Sequence, residues 1–117
     1  MDEKRANEIL NDHMKEEDGS LREQQSKFIR LLSRLINHAY ARGYELTGGD
    51  LWASHGHKKS SLHYVRLAID LNLFKDGKYL RDTESHRSLG EYWERLNPDC
   101  RWGGRWSDGN HYEMLQP

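Results

Sequence analysis

The sequence predicts an α+β fold, a small antiparallel sheet flanked by helices. Three observations predict it. A long apolar stripe at helical spacing fills residues 28–40. A strictly alternating apolar segment spans residues 67–74, with a hairpin signal directly after it. Helical patterns come first and strand patterns later, rather than in alternation, which points to an antiparallel sheet instead of a parallel one.

Taken in order, residues 2–17 read as a polar helix with a weak stripe at Ala6, Ile9, Leu10 and Met14, an N-terminal extension over residues 1–19. Gly19 breaks it. Ser20 and Glu23 have the spacing of a capping box, in which each side chain satisfies a backbone donor at the other's position. The strong helix follows, with Phe28, Leu31, Leu32, Leu35, Ile36, Ala39 and Tyr40 on one face. Arg42-Gly43 supplies the stop. Residues 44–47 read as a short strand, Gly48-Gly49 as a turn and residues 53–61 as a polar loop. In the clearest strand, Leu67, Ile69, Leu71 and Leu73 share one face, and Ala68, Asp70 and Asn72 the other. Asp76-Gly77 is a hairpin turn leading into Tyr79-Leu80. Residues 89–96 form a short helix that ends before Pro98. Residues 101–110 are rich in Gly and Trp and read as a structured loop, and residues 111–115 as a terminal strand.

The 117 residues suit one domain, 1–117, with a modest core. Hydrophobic residues at 35% with four Trp and six Tyr argue against disorder. A net charge of −1 gives no basic excess, so nucleic acid is not the expected partner. Cys100 is the lone cysteine, which excludes an internal disulfide and the multi-cysteine zinc sites. No run approaches the roughly 20 apolar residues of a membrane span, and the polar start Met1-Asp2-Glu3-Lys4-Arg5 is unlike a signal peptide. Synthesis in the cytoplasm is the expectation, with delivery by another agent to any substrate outside the membrane. A monomer is expected.

Asp70 is the odd residue, because a carboxylate on the most apolar strand must be solvated, paired or on a metal. His63 lies seven residues upstream. His111 and Glu113 share one face of the last strand. Two histidines and an aspartate are the number and kind of ligands that a catalytic zinc takes, with a fourth position for water. A nearby carboxylate can serve as the general base. Asp108 is the candidate and Glu113 the competitor. Against this stands the plainer reading of two satisfied structural histidines and a turn aspartate. His55 and His57 read as a solvated loop pair. Trp102 and Trp106 read either as core plugs or as a wall for substrate.

Two segments decide between these readings. Ser61-Leu62-His63-Tyr64-Val65-Arg66-Leu67-Ala68-Ile69-Asp70 resembles the Ser-x-His-x-x-Gly-x-Ala-x-Asp motif of the D-Ala-D-Ala carboxypeptidase and L-alanyl-D-glutamate endopeptidase family of zinc peptidases. Asp108-Gly109-Asn110-His111-Tyr112-Glu113 resembles that family's second motif. Arg101-Trp102-Gly103-Gly104 is also similar to phage members, and the resemblance spans residues 44–115. It implies the fold of hedgehog-type zinc domains, a Zn2+ ion on His63, Asp70 and His111, Asp108 as acid/base, and Ser61 in support of the site. Glu113 fits a partner that orients a ligating histidine. Trp102 is carried as a substrate-binding or supporting residue. Arg66 departs from the pattern, replacing its glycine. Either the backbone there has a positive φ, which disfavours Arg, or Arg66 points to the cleft and binds a substrate carboxylate.

The expected function is therefore a zinc-dependent peptidoglycan peptidase. The leading form is an endolysin-type L-alanyl-D-glutamate endopeptidase acting on stem peptides after delivery, for example by a phage holin. The alternatives are a D-alanyl-D-alanine carboxypeptidase, with Arg66 or Arg105 clamping the terminal carboxylate, and a zinc-binding module without catalysis.

Overall fold

A computed structural model describes residues 20–49 and 62–116. The expected helix over 2–17, the loop at 53–61 with His55 and His57, and Ser61 lie outside the described residues.

Helix α1, Leu21–Ala41, begins where Ser20 Oγ accepts a hydrogen bond from the Glu23 amide at 3.2 Å. It ends at Arg42, followed by Gly43 at φ +85°, a conformation that favours glycine. Phe28, Leu31, Leu32, Leu35 and Ala39 are buried along the expected stripe. Tyr40 departs from it. Its ring is about half exposed, and its hydroxyl bridges the Leu46 amide and carbonyl, tying the helix end to the first strand.

The five strands are β1 (Glu45–Gly48), β2 (Ala68–Lys75), β3 (Lys78–Leu80), β4 (Cys100–Trp102) and β5 (His111–Met114). They form one antiparallel sheet in the order β1-β2-β5-β4, with β3 also paired to β2. Asp76 and Gly77, both at positive φ, make the two-residue turn between β2 and β3. Gly48 is not a turn residue. It pairs with Leu71, and the Gly49 amide donates to the Asp70 carbonyl at 2.7 Å. Strand β4 overlaps a segment that the sequence predicts as loop, because three residues are too few for an alternation to register.

Helix α2, Arg87–Leu96, follows a 3-10 turn at Glu84–His86. Its Leu89 and Trp93 join α1 and the inner face of the sheet in one core, where Phe28 and Trp93 meet edge to face at 5.7 Å. Leu71, Leu73, Tyr112 and Met114 supply the sheet's side. No helix among the described residues is long and apolar enough to cross a membrane.

Trp102 belongs to this core and is fully buried. Its indole N–H donates to the Gly109 carbonyl at 2.7 Å, and its ring lies against Gly90 and Gly104, where a Cβ would overlap it. It cannot form a substrate wall.

Candidate metal centre

The sheet's second face carries the chemistry. Asp70 sits in β2, between β1 and β5, with its carboxylate on the side opposite Ile69 and Leu71. His111 is its register partner on β5. His63 comes from a 3-10 turn, Leu62–Val65, that leads into β2. That turn folds over the ligands, and the Arg66 amide closes it on the His63 carbonyl at 3.2 Å. Gly103 lets the β4–β5 loop pass close behind His111, since a Cβ there would stand 2.7 Å from the His111 Cβ.

Three donor atoms form a nearly equilateral triangle. His63 Nε2 lies 3.3 Å from His111 Nδ1 and 3.4 Å from Asp70 Oδ1, and the last two are 3.3 Å apart. A zinc tetrahedron with ligands at about 2.0–2.1 Å has edges of about 3.3–3.4 Å. The triangle therefore has the dimensions of one zinc face. Its donors, two imidazole nitrogens and one carboxylate oxygen, are the set zinc prefers. The two imidazoles are almost wholly buried, while Asp70 is partly exposed, so solvent reaches the triangle from one side.

A family model described as D-alanyl-D-alanine carboxypeptidase matches residues 54–114. The chain belongs to that family of zinc peptidases. No curated protein matches it closely enough to count. Membership in the D-alanyl-D-alanine carboxypeptidase family makes the chain a zinc metallopeptidase, and His63, Asp70 and His111 are the described residues that would hold the ion.

In this family member the surroundings of His111 prepare it for metal. His111 Nε2–H donates to Glu113 Oε1 at 2.6 Å, which leaves Nδ1 for the ion. Without metal, burial alone would lower the His111 pKa, but hydrogen bonds to Asp70 and Glu113 override that and push it up to about 9. Glu113 is thus engaged with the ring nitrogen that turns away from the triangle. Asp108 Oδ2 lies 3.9 Å from Nδ1, outside hydrogen-bonding distance, and its side chain is half exposed.

The remaining expected site residues fall elsewhere. Arg66 has φ +58°, so the motif's glycine position does demand a left-handed backbone. Its side chain lines a recess with Gln25, Ser26 and Ile29 on α1, which contains no metal ligand. Arg105 is committed to Glu94, with contacts of 2.6 and 3.1 Å. Two further residues neighbour the site: Trp106, which the sequence offers as core plug or substrate wall, and Arg101, to which it gives no role. Trp106 meets His111 edge to face at 5.7 Å with its indole 43% exposed, and Arg101 lies over the Trp106 ring. Arg101 was legible only as part of a motif, since its register opposite Glu113 is a tertiary fact. Cys100 is buried, which raises its thiol pKa to about 12 and makes it inert.

Proposed function

We propose that the chain hydrolyses peptide bonds in peptidoglycan stems, as an endolysin-type L-alanyl-D-glutamate endopeptidase delivered to the wall. The observation that carries this reading is the zinc-sized triangle with a half-exposed carboxylate 3.9 Å from one of its corners. His63, Asp70 and His111 would hold a zinc ion, which would supply a Lewis acid for the scissile carbonyl and lower the pKa of a water to near neutrality. Asp108 takes the proton from the attacking water and returns it to the leaving amine. Its exposure lets it exchange that proton with solvent between turnovers. Asp70 and His63 hold the metal on a rigid strand and turn, and Glu113 keeps His111 in the required tautomer.

The family description favours a second reading, a D-alanyl-D-alanine carboxypeptidase. Product analysis separates the two. Digestion of purified peptidoglycan by zinc-loaded protein is expected to expose new glutamate amino termini. Release of free D-alanine without them selects the carboxypeptidase, and unchanged muropeptides reject both.

A further inference from the structure

We propose that Arg101 binds a carboxylate of the peptide substrate, using Trp106 as the platform that holds its guanidinium. The inference rests on the peptidase reading and adds a determinant of specificity to it.

Arg101 lies on β4, directly opposite Glu113, on the same face of the sheet as the metal ligands. Its guanidinium carbon lies 4.9 Å from the centre of the Trp106 ring, and that ring meets His111 at 5.7 Å. The two separations together match at most about three residues of extended peptide, at roughly 3.3 Å each. A carboxylate bound by Arg101 thus lies a few residues of extended peptide from the metal ligands.

Three features make Arg101 a ligand-binding group rather than a structural one. It is about half exposed, as is Trp106. Its one ion pair among the described residues runs through Nε to Glu113 at 3.8 Å, beyond hydrogen-bonding distance. The Trp106 ring under the guanidinium holds it without taking up its fork, which matches a carboxylate in two-pronged geometry.

Competition strengthens the case. Arg105 is held by Glu94, and Arg87 is spanned by Glu84 and Glu91. Among the described residues, the carboxylates around the triangle are Asp70, Asp108 and Glu113, which repel an anionic peptide. Arg101 offsets that repulsion at one end of the site and so imposes a direction on the bound chain.

Two kinds of carboxylate would fit: a side-branch carboxylate next to the scissile bond, or the C-terminal carboxylate of the peptide. The test compares synthetic stem peptides in which each of these is a free acid or a carboxamide, with zinc-loaded wild type and Arg101→Gln. Wild type is expected to prefer the free acid at one of the two positions by about 10–100-fold in kcat/KM, the range of a charge-assisted hydrogen bond. That position identifies the carboxylate. In Arg101→Gln the preference disappears, mainly through KM, with zinc content equal to wild type. Arg101→Lys retains part of it. No acid preference in wild type overturns the inference. So does an equal loss on acid and carboxamide peptides in Arg101→Gln, which would make Arg101 a positioning residue acting through Glu113. Wild type that cuts no peptide rejects the peptidase reading itself and takes this inference with it.

Discussion

At the scale of single residues, charge and burial around His111 decide how the site behaves. The ring is pushed up to about pKa 9 without metal, so it is protonated near neutrality and zinc must displace that proton. Zinc binding at pH 7 is therefore expected to release about one proton from His111, and affinity to weaken by about tenfold per pH unit on acidification. Calorimetry in two buffers of different ionisation enthalpy measures the count, and a value near zero contradicts this account. Asp108 answers to a different measurement. If it moves the proton in catalysis, Asp108→Asn keeps its zinc and loses about 10²–10⁴-fold in kcat. Full activity in a zinc-loaded Asp108→Asn enzyme assigns the base elsewhere.

At the scale of elements, the turn into β2 is where local preference and site geometry conflict. Arg66 occupies a left-handed backbone at φ +58°, which costs a side-chain-bearing residue roughly 1–2 kcal/mol. The position is one residue before Leu67, in the turn that carries His63 onto the sheet. The left-handed residue thus sits in the turn that brings His63 to within 3.4 Å of Asp70. Replacing Arg66 with Gly removes that strain but adds freedom to the unfolded chain. The net expectation is a gain of about 0.5–1 kcal/mol. Urea unfolding of Arg66→Gly measures it, and a loss of stability would show that the side chain's contacts outweigh the backbone term. On the opposite side of the site, Glu94 of α2 accepts the Trp102 amide at 3.2 Å and binds Arg105. The helix thereby anchors the loop that bears Trp106 and Asp108.

At the scale of the whole molecule, a buried histidine outside the metal triangle couples folding to pH. His86 is 2% exposed, sits at the junction into α2 and shares a 2.8 Å hydrogen bond with the Tyr112 hydroxyl behind the site. Burial lowers its pKa from 6.5 to about 4. The unfolded chain therefore takes up a proton near pH 6.5, while the folded chain resists until about pH 4. Stability from this group is complete above pH 6.5 and falls as pH drops toward 4, by roughly 3 kcal/mol in all. Urea midpoints of metal-free wild type and His86→Asn should converge across that interval as pH is lowered. A constant difference between them would remove His86 as the cause.

The sequence by itself determined the helix of residues 28–40, the central strand with its alternating leucines and the hairpin at Asp76-Gly77. Each is a local signal: a period of 3.6, a period of 2, or a turn dipeptide; Asp70 stands out as a carboxylate on an apolar strand, and the candidate ligand set comes from the resemblance of two motifs to a family. Tertiary structure alone decided how those pieces meet. It made Cys100–Trp102 a strand, because three residues gain strand character only from a partner. It sent the Trp102 side chain inward and left Trp106 at the surface, although both stand in the same Gly/Trp-rich segment. It placed Arg101 rather than Arg66 or Arg105 beside the metal centre, through strand register that no single segment encodes. The physical reason is range: propensity and periodicity act within a few residues, whereas His111 closes the triangle on residues 48 and 41 positions away and Arg101 is placed by pairing between separate strands.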